Sequence, residues 1–202
     1  MKIAVIGASG MVGSRVVAEL AQRDHEVTAV TRSGTRVPGA ATSVAGNLGD
    51  AEFVGKLAAG HDVVLSATGP SRTGEDHQIW LEALQTAEAN AAAARLFVIG
   101  GAGSLLIDGT RLVDLPDFPE GYKAEALSAA QALDTIRQAP ESLDWVFLSP
   151  APEIAPGERT GRYRIADDTP AGDAISAEDF AVAIADEIEQ PKHRRARFTV
   201  AN

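Results

Sequence analysis

The chain has 202 residues, a formal net charge of −10 at pH 7, and a composition that is 45% hydrophobic but only 5% aromatic. It contains no cysteine, which excludes a disulfide framework, a thiolate metal site and a cysteine nucleophile, and the cytoplasm is the simplest setting. The negative charge repels nucleic acid and anionic membrane surfaces, so we predict a small-molecule partner. The length suits one α/β domain, so we predict a single domain over residues 1–202.

Short β-branched runs alternate with Ala-rich stretches up to residue 149, which is typical of βαβ units. The predicted elements are, in chain order, strand Lys2–Ile6, helix Met11–Arg23, strand Glu26–Thr31, a weaker strand Thr42–Ala45, helix Ala51–Ala59, strand Asp62–Ala67, helix Glu75–Ala94, strand Arg95–Gly100, helix Tyr122–Gln138 and strand Trp145–Ser149. Because parallel crossovers are right-handed, this order predicts an α/β fold: a Rossmann-like, doubly wound parallel sheet flanked by helices on both faces.

The pattern changes after Pro150 to a Pro/Gly-rich loop. It predicts a short strand Arg162–Ile165, a helix from Ser176 to near Pro191, and a closing strand Ala196–Val200. We interpret this part as a small C-terminal extension on the substrate side of the sheet.

A glycine-rich turn follows the first strand and opens the first helix. Gly7 permits a tight turn, Gly10 lets the backbone approach a diphosphate, and Gly13 lets the helix pack close to the strand. The helix start presents free amides and positive partial charge, and Ser9 can add a hydroxyl donor. The predicted dinucleotide-binding residues of this turn are Gly7, Ala8, Ser9, Gly10, Met11, Val12 and Gly13.

The end of the second predicted strand favours NADP(H) over NAD(H). NAD-selective folds place Asp or Glu there to accept from the ribose 2′-hydroxyl, whereas this chain has Arg32 after Thr31. A guanidinium pairs with a 2′-phosphate and stacks on adenine, and Arg36 offers a second contact.

These motifs resemble the atypical short-chain dehydrogenase/reductase group, in its NmrA-like and NADH-flavin-reductase-like branch, which includes biliverdin IX-beta reductase. The likeness covers nearly the whole chain. It is carried by the GxxGxxG spacing and by four further segments, namely Gly46-Asn47-Leu48, Ser66-Ala67-Thr68-Gly69, Gly100-Gly101-Ala102-Gly103-Ser104-Leu105 and Leu148-Ser149-Pro150.

The resemblance implies further cofactor contacts at the carboxyl ends of predicted strands, where ligands of open α/β sheets bind. It places Asn47 and Leu48 along the adenine. The implied contacts with the ribose, the phosphates and the nicotinamide are Ala67, Thr68, Gly69, Ser149, Pro150 and Ala151.

The catalytic pair of the family is incomplete in this chain. Standard members use Tyr-x-x-x-Lys, whereas Tyr122 is followed four residues later by Ala126, with Lys123 adjacent in sequence. Neighbouring helix positions diverge by about 100°, so Lys123 does not simply inherit the role. Ser104, Tyr122 and Lys123 are the polar residues that we place nearest the substrate.

Loss of the pair is compatible with hydride transfer from NADPH to a planar acceptor such as a flavin (FMN or FAD) or a quinone, because solvent can supply the proton. Two other hypotheses keep the cofactor: a non-catalytic NADP(H)-binding redox sensor, and a nucleotide-sugar epimerase or dehydratase. The latter normally needs the intact tyrosine–lysine pair and a larger C-terminal region. The four histidines lack metal-ligand spacing, so no metal site is predicted, and both a monomer and a homodimer remain open.

Overall fold

An eight-stranded sheet forms the centre of the protein, and a computed structural model describes residues 1–202. The helices are α1 (Met11–Gln22), α2 (Ala51–Gly60), α3 (His77–Asn90), α4 (Glu120–Ile136) and α5 (Ala177–Glu189). The strands are β1 (Lys2–Ile6), β2 (Glu26–Thr31), β3 (Thr42–Ala45), β4 (Val63–Ser66), β5 (Arg95–Ile99), β6 (Leu106–Ile107), β7 (Thr110–Arg111), β8 (Trp145–Ser149), β9 (Glu153–Ala155), β10 (Arg164–Ala166), β11 (Ala174–Ser176) and β12 (Ala196–Ala201).

The sheet has the order β10-β12-β8-β5-β4-β1-β2-β3, and all of its neighbouring strands are parallel except β10 against β12. The predicted doubly wound α/β fold is therefore confirmed. Two small pairs lie outside this sheet: β9 pairs with β11 in parallel, and β6 pairs with β7 as a hairpin.

Hydrophobic residues fill both faces of the sheet because the central strands carry apolar residues at consecutive positions. In β1, Ile3 and Val5 pack with α1 and α5, whereas Ala4 and Ile6 pack with the helices of the other face. Strands buried on both faces are expected to read as continuous apolar runs.

No helix combines the length and apolar character that crossing a bilayer requires.

Helix α3 is shorter than the predicted Glu75–Ala94. It begins at His77 because the side chain of Asp76 accepts a hydrogen bond from the amide of Gln78 and caps the helix. Its end at Asn90 is set by the need to return to the sheet: the amide of Ala94 bonds to the carbonyl of Ala91 in a turn that leads directly into β5. Tertiary structure thus overrides the helix propensity of the alanines.

Glu88 on α3 gives the protein a pH-dependent stability. It makes no hydrogen bond or ion pair, and burial raises its pKa from 4.5 to about 7. The protonated acid is the form that the fold favours, so this contribution is complete below pH 4.5 and is lost as the pH rises to about 7. We expect Glu88→Gln to stabilise the protein above pH 7 by about 1 kcal/mol, after allowing for solvent screening, and to change little below pH 4.5.

Urea unfolding of both proteins between pH 4 and 8 measures this effect. Glu82→Gln, which changes an exposed carboxylate on the same helix, is the matched control. A difference between wild type and Glu88→Gln that does not grow with pH contradicts the assignment.

Candidate functional site

A crevice opens where the order of the strands reverses. From β1 the chain crosses through α1 to β2 on one side, and after β3 it returns through α2 to β4 on the other side of β1. Because the two connections leave in opposite directions, the carboxyl ends of β1 and β4 form a gap, which is the usual ligand position in such sheets.

The turn between β1 and α1 fits tightly against this gap. Gly7 has a φ of 85°, and a Cβ on it would lie 2.7 Å from the carbonyl oxygen of Ala67 at the end of β4. A Cβ on Gly13 would lie 2.2 Å from the carbonyl oxygen of Gly7. Both positions therefore require glycine, and together they hold the start of α1 close to the end of β1.

The amides at this helix start have no partner within the chain. The amides of Gly7 and Ala8 donate to the carbonyl of Val30, at 3.0 and 3.3 Å, whereas those of Met11 and Val12 donate to no acceptor. No side chain caps the helix and no acidic residue lies in its first turn. Free amides with the positive end of a helix dipole form an anion site, and the turn fits a diphosphate.

Other turn residues offer backbone or hydroxyl contacts. The hydroxyl of Ser9 is exposed and makes no hydrogen bond, and Gly10 is exposed beside it. Ala8 is fully buried, so its contribution is through its backbone.

An unpaired guanidinium follows β2, the neighbour of β1. Arg32 is exposed and makes no ion pair or hydrogen bond, and Arg36 is in the same condition. No carboxylate follows the strand, because residues 32–36 are Arg, Ser, Gly, Thr and Arg. This end of the crevice is therefore free to take a negatively charged group.

The segment after β3 packs into the core and bonds within its own turn, whereas the sequence predicts contacts with the adenine. Leu48 is buried in the core with Val30 and Ile6, and the Oδ1 atom of Asn47 accepts from the amide of Gly49 at 3.0 Å. Asn47 is exposed, and its side-chain amide nitrogen remains available to a ligand.

The loop over residues 67–76, between β4 and α3, closes one side of the crevice. Thr68 is held through its Oγ1, which lies 2.8 Å from the Oγ of Ser66 and accepts from the Nε1 of Trp80 at 3.1 Å. Ala67 donates its amide to the carbonyl of Ile6, and Gly69 faces open space. The wall of the crevice is thus fixed up to Thr68 and open at Gly69.

His77 fastens the same loop to α4. Its Nε2 lies 2.9 Å from the carbonyl oxygen of Ser71, and its Nδ1 lies 2.9 Å from the Oγ of Ser128. Arg72 adds a pair with Glu125 at 3.0 Å. In the sequence, His77 stands out from the other histidines because Trp80 lies close to it on the same helix, but the sequence predicts no contact with Ser71 or Ser128.

The residues at the end of β8 are buried. Ser149 and Ala151 are 0% and 1% exposed, and the Oγ of Ser149 has no hydrogen-bond partner. Pro150 is also buried, so contacts from this segment to a ligand would come from its backbone.

The three catalytic candidates do not form one cluster. Tyr122 in the first turn of α4 is 62% exposed and makes no side-chain hydrogen bond, and Lys123 lies 3.6 Å from Glu120. Ser104 lines a separate cavity beside α4, and its Oγ is buried without a hydrogen-bond partner. The hydroxyls of Tyr122 and Ser104 therefore share no hydrogen bond.

The glycine turn after β5 packs against α4 at Ala126 and Ala129. A Cβ on Gly103 would lie 2.7 Å from the Cβ of Ala126, and a Cβ on Gly101 would lie 3.0 Å from that of Ala129. Helix α4 therefore rests directly on this turn, and the close approach requires glycine at position 103.

The switch-point crevice, the glycine turn and the open helix end define a dinucleotide-binding α/β protein. Residues 7–191 match the NAD(P)H-binding family. The chain belongs to this family, so the resemblance to NAD(P)-binding proteins predicted from Gly7, Gly10 and Gly13 is confirmed.

Relatives cover the chain from end to end. A candidate exported protein from Burkholderia pseudomallei is 41% identical, with 100% of both chains covered and a TM-score of 0.87. A candidate NADH-flavin reductase from Streptococcus pneumoniae TIGR4 is 35% identical, with 100% of this chain and 99% of that chain covered and a TM-score of 0.92. The uncharacterised protein YwnB of Bacillus subtilis (strain 168) is 37% identical over 214 residues, covering 100% of this chain and 99% of YwnB.

Proposed function

We propose that the protein is an NADPH-dependent oxidoreductase that passes hydride to a planar acceptor such as a flavin or a quinone. The observation that carries the proposal is the combination, at one crevice, of unpartnered amides at the start of α1 and an unpaired Arg32 after β2. A dinucleotide with an additional phosphate on its adenosine ribose matches both features.

The cofactor preference depends on Arg32. A 2′-phosphate would accept charge-assisted hydrogen bonds from its guanidinium, which has no competing carboxylate partner within the chain. The Streptococcus pneumoniae relative is named for NADH, so the preference has to be measured in this protein.

The residues around the crevice bind and orient more than they exchange protons. When bound, the reduced nicotinamide supplies the hydride. The amides of Met11 and Val12 would hold the diphosphate, and the open space at Gly69 would leave the cofactor unobstructed on that side. The segments 102–121 and 151–173 are proposed to cover the acceptor and exclude water.

The acceptor is inferred from the weak acid/base machinery. Tyr122 is solvent-exposed and Ala126 replaces the lysine that would lower the pKa of a tyrosine in the family pattern. A flavin or quinone can take its proton from water, so it does not need that pair. Tyr122 remains the proposed donor for a carbonyl acceptor, with Lys123 as a proposed accessory group, whereas Ser104 lies too far into the separate cavity to share this role. The name of the Streptococcus pneumoniae relative, a candidate flavin reductase, supports this class of acceptor.

The same observations support a second candidate, a protein that binds NADP(H) as a redox sensor without turnover. Purified protein mixed with NADPH and then with FMN, a quinone panel or biliverdin separates the two, with NADPH consumption followed by absorbance. Saturable consumption supports the reductase, and tight binding without consumption for any acceptor supports the sensor. Absence of both binding and consumption overturns the two together.

Arg32→Ala tests the cofactor assignment. We expect it to weaken NADPH binding by about 10-fold or more and NADH binding by less than about 2-fold, because only NADPH carries the 2′-phosphate. Isothermal titration calorimetry with each nucleotide measures both effects. Arg194→Ala, which removes an exposed arginine just before β12 at the opposite edge of the sheet, should leave both affinities unchanged. Equal weakening of NADPH and NADH by Arg32→Ala would remove the assignment to NADP(H).

A further inference from the structure

A second cavity lies on the α4 face of the sheet, beneath the β6–β7 hairpin. It has a volume of about 210 Å³ and is bounded by the turn before the hairpin, the middle of α4, the loop after β10 and the start of β12. β12 is separated from β1 by β8, β5 and β4, which puts it about 19 Å from the strand that carries the glycine turn. This cavity is therefore distinct from the diphosphate position in the crevice.

Two buried donors in this cavity have no acceptor. Arg197 on β12 is 6% exposed, and its Nη1 is buried without a hydrogen-bond partner. Ser104 is 8% exposed, and its Oγ is equally buried and unpartnered. Buried polar groups in folded proteins are nearly always hydrogen-bonded, so each exception calls for an occupant.

Asp168 holds most of the guanidinium of Arg197. The Nε donates to the Oδ1 of Asp168 at 2.9 Å, and the Nη2 bonds to the same oxygen. Arg137 on α4 reaches that oxygen as well, at 3.3 Å. One carboxylate oxygen thus accepts from two arginines, while the Nη1 of Arg197, a residue of the cavity wall, is buried without a partner.

The charges in the cavity are arranged by depth. Its carboxylates, Asp134 and Asp168, have 61% and 51% of their side chains exposed, so they lie at the mouth. Arg111 is engaged with Asp114 through its Nε and Nη2. The wall at the inner end therefore contains donors without acceptors, and the carboxylates lie at the outer end.

We infer that this cavity is a binding site for a small oxyanion, a carboxylate or phosphate group whose oxygens accept from the Nη1 of Arg197 and the Oγ of Ser104. The volume is many times what one water molecule requires, and it holds a group of several atoms. Binding at this site does not depend on a nucleotide in the crevice. The inference goes beyond the proposed reductase function and does not rest on it.

Calorimetry on the full-length protein without nucleotide tests the site, with inorganic phosphate and acetate as separate probes. Saturable binding of either probe at millimolar concentration is expected, and the probe that binds more tightly identifies the chemistry. Ser104→Ala should weaken that binding by about 10-fold, because one hydrogen bond to a charged ligand is lost. Arg197→Met should weaken it by about 100-fold, because a charged donor is lost.

The design keeps folding and binding separate. Ser104→Ala deletes a buried hydroxyl that has no partner in the ligand-free protein, so the variant should be at least as stable as the wild type and remain informative if Arg197→Met does not fold. Thr199→Val, which removes another buried, unpartnered hydroxyl outside the cavity lining, should leave probe binding unchanged. Phosphate that binds only at the start of α1 would be indifferent to both Ser104→Ala and Arg197→Met. That result, or no binding of either probe, overturns the inference.

Discussion

Gly13→Ala is expected to abolish nucleotide binding and to lower the free energy of unfolding by about 3 kcal/mol. The added methyl would lie 2.2 Å from the carbonyl oxygen of Gly7 and 2.9 Å from its carbonyl carbon, so the backbone of the turn or the whole of α1 has to move. Neither atom belongs to a flexible side chain that could make way. The movement also displaces the amides of Met11 and Val12, which are the donors of the proposed diphosphate site.

Urea unfolding and calorimetry with NADPH measure the two effects on the same preparations. Gly55→Ala is the matched control, because a Cβ on this glycine within α2 meets nothing within 4 Å. It should stabilise the protein by up to about 1 kcal/mol, the usual helix preference for alanine over glycine. Gly13→Ala protein with wild-type stability and NADPH affinity would show that the turn does not hold the cofactor.

The sheet and the glycine turn could be predicted because each is determined by local chemistry. Strands such as Lys2–Ile6 and Trp145–Ser149 are buried on both faces along most of their length, which favours a run of four apolar residues in each and makes them visible in the sequence. Gly7 and Gly13 are required by backbone contacts within a few residues or with the adjacent strand. Their spacing in the sequence therefore predicts the shape of the turn.

The hairpin over residues 106–111 was missed, although a signal for it is present. Its strands are two residues long, too short to show alternation, but Asp108 and Gly109 have φ values of 49° and 81°. Both central residues of a type I′ turn need positive φ, and Asp-Gly is a preferred pair for it. That dipeptide within Leu-Ile-Asp-Gly-Thr-Arg was the available evidence.

The positions of Ser104 and Tyr122 could not be predicted because they depend on how closely α4 packs on the sheet. The contact between Gly103 and Ala126 brings the helix against the turn. It leaves Ser104 lining a cavity beside α4, while Tyr122 is exposed. Sequence spacing alone predicts that Ser104 and Tyr122 lie in one site. It does not contain the distance between α4 and the turn, because side chains from several parts of the chain set that distance.

Arg95 is a similar case, because its partner is 92 residues away in sequence. An arginine at the start of a buried strand indicates that the guanidinium has an acidic partner, but not which one. In the structure this partner is Glu187 on α5. The Nη2 of Arg95 lies 2.7 Å from the Oε1 of Glu187, and the two side chains are 7% and 4% exposed. The guanidinium also donates to the main-chain carbonyls of Glu187 and His193, at 3.0 and 2.6 Å. It thereby joins β5, α5 and the segment leading into β12.

Arg95→Met is expected to lower the free energy of unfolding by about 4 kcal/mol, because it leaves two carbonyls without a donor and the buried carboxylate of Glu187 with only the ring of His193 and two main-chain amides as partners. The double variant Arg95→Met/Glu187→Leu removes the buried charge but also the acceptor of those amides, so it should recover part of the loss in urea unfolding. Arg194→Met, which breaks an exposed pair with Asp144, should cost less than about 1 kcal/mol. A double variant as unstable as Arg95→Met alone would mean that the hydrogen bonds of Arg95 to the main chain, rather than its charge, hold α5 and β12 against the sheet.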